Sequence, residues 1–137
     1  MAGQMVIEGV QEMYDAVFID NATPEDKELI LFSNDLTITD ATVNASITEI
    51  TTNGGEKVTM DKAKWVAATA ADPVVSQYNG ATGIVFTITG ALSVYGWAVK
   101  GVTSTKIYGA ENFGLKTFAN GNEFTCAPID MKFNIPE

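Results

Sequence analysis

The 137-residue chain carries 17 acidic and 8 basic side chains, a net charge of −9, and it has neither arginine nor histidine. Clustered Lys and Arg are what hold phosphate backbones, so nucleic-acid binding is disfavoured; the missing histidine removes the commonest general base and the commonest metal ligand. The single cysteine, Cys126, leaves no internal disulfide and no cysteine-rich zinc site.

The length is that of one domain, residues 1–137, able to bury about two thirds of the surface its unfolded chain exposes. The first twenty residues have no Lys or Arg but carry Glu8, Glu12 and Asp15, unlike the charged start and apolar core of a signal peptide. No apolar run approaches the ~20 residues that cross a bilayer. The expectation is a protein made in soluble form in a cytoplasm, with no membrane partner. Asn21-Ala22-Thr23 and Asn44-Ala45-Ser46 match the glycosylation pattern and, with no route to secretion, read as chance.

In chain order, Val6, Val10, Met13 and Val17, flanked by Ile7, Tyr14 and Phe18, recur at three- and four-residue spacing opposite Gln4, Glu8, Gln11, Glu12 and Asp15. This predicts an amphipathic α-helix over about 5–18 with a solvated acidic side. Asn21 to Asp26 reads as a turn, with Thr23 and Pro24 suited to start one helical turn. Glu28 to Phe32 reads as a strand apolar on both faces, covered by the helix on one side and by the core on the other. From Leu36 to Thr52 the alternation is weak and the segment reads as a long excursion with edge-strand character. Asn53-Gly54 is a turn, Val58 to Met60 a brief strand, and Asp61 a cap for a single turn that brings Trp65 inward.

The most strongly strand-forming stretch is Ala81 to Gly101. Ile84, Phe86 and Ile88 alternate with Val85, Thr87 and Thr89, and Gly90 breaks the run. A second strand then places Tyr95, Trp97 and Val99 on one face and Val94, Gly96 and Ala98 on the other. These two consecutive strands are expected to form the centre of a sheet, with a ring from the next strand lying over the bare backbone of Gly96. Tyr95 and Trp97 are expected in the core; a stacking platform for sugar, joined by Trp65 and Tyr108, is the alternative.

Further strands are predicted near 74–78, 104–109, 113–118, 122–127 and 130–135, with Asn79-Gly80 and Asn120-Gly121 as hairpin turns. Short strands at a spacing of roughly 8 to 12 residues argue for a mainly β, single-domain β-sandwich over about 27–135, jelly-roll-like, behind one N-terminal helix. Cys126 lies in an apolar run and reads as a buried small hydrophobe.

Residues that could carry chemistry are few. Ser104-Thr105-Lys106 is the one Ser-plus-Lys cluster; it lacks the Ser-x-x-Lys helical spacing of a lysine-activated serine and reads as a solvent-facing strand. A carboxylate pair for glycoside hydrolysis needs only proximity in space, and no local pattern points to one. Asp35 and Asp40 lack the Asp-x-Asp-x-Asp-Gly calcium loop, and Gly80, Gly83 and Gly90 read as turn glycines rather than a phosphate cradle. Catalytic, cofactor-binding and metal residues are therefore assigned to none, and no interface residue is singled out.

Several stretches, in order, resemble a family of small virion proteins of tailed bacteriophages. They are the opening helix ending Glu12-Met13-Tyr14-Asp15-Ala16, the strand Leu29-Ile30-Leu31-Phe32-Ser33-Asn34-Asp35, the Thr48-Glu49 pair, Trp65, Val94-Tyr95-Gly96-Trp97-Ala98-Val99, Ile107-Tyr108-Gly109-Ala110-Glu111 with Phe113, and Ala119-Asn120-Gly121-Asn122-Glu123. The likeness spans about residues 10 to 135. It departs in Leu36 and Thr37, where relatives often have a Thr-Pro turn, and in Trp97, where they usually have tyrosine. Such proteins are similar to capsid cement or decoration proteins and to minor tail proteins. The resemblance implies a non-enzymatic virion protein that binds the major capsid protein or other virion subunits, often as a symmetric oligomer, with a trimer favoured.

Overall fold

The computed structural model describes residues 11, 13, 15–19, 26–39, 41–78, 83–126 and 129–133. The chain is mainly β, with several antiparallel sheets. Its contacts divide it into two compact units. One comprises Glu25–Met60 and Ile84–Cys126; the other comprises Met1–Pro24, Asp61–Gly83 and Ala127–Glu137.

The first unit is built on four antiparallel strands in the order β2-β1-β5-β6: β1 (Lys27–Phe32), β2 (Val58–Met60), β5 (Leu92–Gly101) and β6 (Ile107–Phe118). All six side chains of β1 are buried: Leu29 to Phe32 form an apolar run with no alternation, and the charged Lys27 and Glu28 are enclosed with it. One edge of β1 is completed piecewise. Lys27 to Leu29 pair with β2, and at the other end Ile50 N–H donates to Leu31 O and Ser33 N–H to Thr48 O, both at 2.9 Å. The predicted edge-strand excursion of 36–52 is thus an irregular segment with a 3₁₀ turn at Asn44–Ser46, laid against β1 only at a bridge between Glu49 and Phe32. Asn34 anchors it: its Nδ2 donates to Ser46 O and its Oδ1 accepts from Thr48 N–H, both at 2.9 Å.

β5 is, with β1, one of the two inner strands, and it is buried on both faces from Gly96 to Gly101. Phe32 stands opposite Gly96 in register, and a Cβ on Gly96 would lie 2.3 Å from Phe32 Cζ and 2.0 Å from the Glu111 carbonyl oxygen. A ring from the neighbouring strand does lie over bare backbone here. Trp97 is buried at 6 % exposure, whereas Tyr95 is half-buried.

The two strands of the Ala81–Gly101 stretch do not pair with each other, contrary to expectation. β4 (Ile84–Thr87) pairs with β7 (Glu123–Cys126) in a separate two-stranded sheet, while β5 pairs with β1 and β6. The corner between β4 and β5 explains the divergence. Thr89 N–H donates to Asn53 O at 2.9 Å, Asn53 Nδ2 donates to Ala91 O at 3.1 Å, and Ile88 exchanges backbone bonds with Asn122 and Gly121. The backbone donors that would have continued a hairpin are taken by the 53–54 and 119–122 turns. Asn53 and Gly54 both have positive φ, 57° and 85°, as the Asn-Gly signal requires, and a Cβ on Gly54 would fall 2.0 Å from Thr87 O.

The alternation within β4 holds, with Ile84 and Phe86 buried and Val85 and Thr87 exposed. The strands predicted at 104–109 and 113–118 are one strand, β6, whose glycines sit in register irregularities instead of breaking it. Asn120-Gly121 forms a turn, but the strands it joins lie in different sheets, so it closes no hairpin.

In the second unit, β3 (Val74–Tyr78) pairs antiparallel with β8 (Ile129–Phe133). Asp61 caps a 3₁₀ turn at Lys62–Lys64, its Oδ1 accepting from Ala63 N–H at 2.9 Å, and Trp65 turns inward as predicted. The Trp65 ring packs against Tyr78 at 5.2 Å and Phe18 at 4.5 Å between centroids. Of the predicted helix over 5–18, residues 11 and 13 are helical and Asp15–Ile19 form a π-helical turn; residues 1–10, 12 and 14 lie outside the described residues, as do Asn79-Gly80 and the end of the last predicted strand. Met13, placed on the apolar side by a 3.6-residue period, is 56 % exposed. A π-turn holds one extra residue per bond, which rotates what precedes it by roughly 100° relative to an α-helix.

The approach of Phe32 to Gly96 gives a direct test. Gly96→Ala is expected to destabilise the fold by about 3 kcal/mol, because the Glu111 carbonyl cannot give way as a side chain could. Urea unfolding followed by tryptophan fluorescence measures it.

Candidate interaction surface

Three charged side chains of the four-stranded sheet, Lys27, Glu28 and Lys100, are buried within it. Glu28 and Lys100 are cross-strand partners on β1 and β5, and both are buried. Lys100 Nζ lies 3.4 Å from Glu28 Oε1 and 2.5 Å from Glu49 Oε1, and Lys57 Nζ lies 3.5 Å from Glu28 Oε2. Burial alone would pull the Lys100 ammonium down; hydrogen bonds and charge from Glu49 and Glu28 outweigh it and hold the group above its ordinary value. Lys27, buried beside this cluster in sequence, stands over the Tyr108 ring at 5.2 Å. This arrangement is an ion-pair network that neutralises a charged strand end, and it keeps the lysine protonated instead of freeing it as a base or nucleophile.

The other residues marked by the sequence are scattered. Ser104 and Lys106 lie in the exposed turn between β5 and β6, not in a strand, and Ser104 Oγ accepts from Lys106 N–H at 3.2 Å. Asp35 accepts from Asn112 Nδ2 at 3.0 Å, and Asp40 lies outside the described residues. Among the described residues, no three His, Cys, Asp or Glu side chains are grouped to hold a metal ion, and no helix is long and apolar enough to cross a membrane. Trp65 and Trp97 are both buried at 6 % exposure, which leaves Tyr95 and Tyr108 as the partly open rings of the four proposed for stacking. Cys126 is buried, and burial, helped by the charge of Glu111, pushes its thiol up to about 12.

The outward feature of this unit is the edge of β6. Among the described residues nothing pairs with its far side. Its register against β5 breaks between Val94, opposite Lys116, and Gly96, opposite Asn112, so that Phe113, Gly114 and Leu115 face the single residue Tyr95. This blister turns on Gly114, whose φ is +84° and whose missing side chain would meet open space. Asn112 clamps it: its Oδ1 accepts from Gly114 N–H at 2.9 Å, and its Nδ2 donates to Asp35 Oδ1 and to Leu36 O at 2.8 Å. Phe113 turns toward Phe124 at 5.6 Å, and Lys116 stands over both rings. Leu115 is left 54 % exposed. Neither the Lys100 network nor the blister was singled out in the sequence, although a glycine inside a strand-like run is the ordinary sign of a bulge.

No family model, no curated protein and no solved structure matches this chain.

Two outcomes follow from this chemistry. Lys100→Met leaves Glu28 buried with its nearer cation gone and should cost about 3–5 kcal/mol in chemical denaturation, with Glu28→Gln on top of it restoring part of the loss. Because the Lys100 value is raised on folding, its contribution is complete through neutral pH and is lost only as the solution passes above the ordinary lysine range. Cys126 should resist a thiol-specific reagent such as maleimide in the native protein at neutral pH and react stoichiometrically once the protein is unfolded, as read by intact mass.

Proposed function

We propose that this chain is a non-enzymatic structural protein of a tailed-phage particle, a cement or decoration protein that binds the major capsid protein and braces the shell. It is made in the host cytoplasm, resides in the virion, and acts as a homo-oligomer, with a trimer favoured. The ordered resemblance over residues 10–135 supports this reading. So does the distribution of polar groups, with Lys27, Glu28 and Lys100 inside the sheet and a twelve-residue outer strand facing out.

The geometric observation that carries the reading is that outer strand. A clamped, partly apolar edge is suited to adhering to a neighbouring subunit. The net charge of −9 opposes binding to nucleic acid and to anionic bilayers.

The finer fold reading is that the Glu25–Met60 and Ile84–Cys126 unit is a small jelly-roll-like β-sandwich. Its support is the aromatic cluster by which Phe113 and Phe118 of the four-stranded sheet meet Phe124 of the β4–β7 pair, at 5.6 and 5.1 Å. A minor tail or tail-fibre component is the nearest alternative, and a carbohydrate-binding module would have to rely on Tyr95 and Tyr108.

Electron microscopy of particles made with and without the protein tests the assignment. Extra density on the shell at hundreds of copies per particle is expected; density confined to the tail, or none on the shell, overturns it.

A further inference from the structure

We infer that residues 44–50 form a detachable strap, latched by Asn34, whose closed state keeps the edge of β1 from pairing with the β1 of a second copy. The device lies within one unit and does not depend on the shell assignment.

The composition of β1 makes its edge a hazard. Lys27-Glu28-Leu29-Ile30-Leu31-Phe32 has no proline or glycine, its two charges cancel, and four consecutive apolar side chains follow them. That is the signature of a segment that pairs readily with its own kind. β5 covers one edge along all six residues, but on the other edge β2 reaches only Lys27 to Leu29. Beyond Leu29 the cover is the strap, through the bonds from Ile50 N–H to Leu31 O and from Ser33 N–H to Thr48 O.

The strap itself is lightly held. Residues 44–49 are all exposed or half-buried, and Ile50, at 6 % exposure, is its one buried side chain. Its side-chain attachments are polar: Asn34 Nδ2 donates to Ser46 O and Asn34 Oδ1 accepts from Thr48 N–H, and Glu49 Oε1 meets Lys100 Nζ at 2.5 Å. A segment with little apolar burial and exposed hydrogen bonds opens at lower free energy than the strands it lies on. β1, by contrast, is buried throughout and paired with β5 along its whole length. The strap can therefore leave while the sheet stays, and Asn34, which supplies two of its bonds, is the latch.

Opening strips Leu31 O and Ser33 N–H of their partners and uncovers the edge of the apolar run. A second copy opened in the same way offers the identical strand, and one two-fold antiparallel contact satisfies both edges. The closed strap is thus a self-cover of the kind by which β proteins keep an edge from recruiting another chain.

The test compares wild type, Asn34→Ala and Asn34→Asp by hydrogen exchange read by mass spectrometry, and by light scattering over a range of concentrations. Scattering is read at elevated salt, where the net charge of −9 on each copy is screened. In Asn34→Ala, peptides covering 44–50 are expected to exchange about tenfold faster or more while peptides from β5 keep their wild-type protection. The same variant is expected to form assemblies larger than the wild-type species, growing with concentration. Asn34→Asp keeps the acceptor for Thr48 N–H and loses the donor to Ser46 O, so it falls between the two, and it is read by the same criteria where Asn34→Ala does not reach the native fold. Adding Ser33→Pro removes the edge donor and is expected to abolish the extra association without closing the strap.

Unchanged exchange at 44–50 overturns the inference, as does faster exchange that spreads equally to β5, since the strap is then not separable from the sheet. Faster exchange at 44–50 with the wild-type size at every concentration also overturns it, because the strap then covers nothing that pairs. Association that persists with Ser33→Pro places the contact elsewhere and overturns it too.

Discussion

The four-stranded sheet depends on how closely β1 and β6 can approach β5 at Gly96. A methyl group there would meet the ring of Phe32 on one side and the carbonyl of Glu111 on the other, so the absence of a side chain sets the spacing of three strands at one point. Phe32, fully buried, fills the space that Gly96 leaves. Around this contact both faces of β5 are covered, which is why Trp97 is enclosed although it alternates with small residues in a pattern that could equally have faced solvent.

How far the sequence revealed the fold depends on the range of the interaction responsible. The alternation of Ile84 to Thr89, the two-faced burial of β1, the Asp61 cap and the ring over Gly96 are consequences of neighbouring residues and were legible. Pairing partners were not. Nothing local in Ile84 to Val99 says that its two strands go to different sheets, because that outcome is decided by Asn53 and the 119–122 turn, which take the backbone bonds of the corner. In the same way a strand that absorbs Gly109 and Gly114 reads as two strands, since periodicity restarts at each irregularity.

The candidate site was less legible than the fold. Glu28 and Lys100 are charged residues adjoining apolar runs, and each alone resembles a strand end reaching for water. Only the register that sets them opposite one another, with Glu49 brought in from the irregular segment, turns them into a buried pair. The same holds for Leu115. An exposed leucine is unremarkable in sequence, and it acquires meaning from the clamp made by Asn112 to residues about 76 positions away.

These two features have opposite consequences for what the molecule can do. A buried ion pair contributes little net stability over an apolar replacement, but a partner left alone is strongly destabilising, so the pair enforces one register of β1 on β5. A one-residue slip would carry every β1 side chain to the opposite face of the sheet, into a space packed for another, and would also separate Glu28 from Lys100. Register on the inner side therefore fixes the position of β6 on the outer side, and the blister with it. An edge held this way carries each of its side chains in a defined place, because neither the strand beneath it nor the Asn112 clamp leaves it a second register.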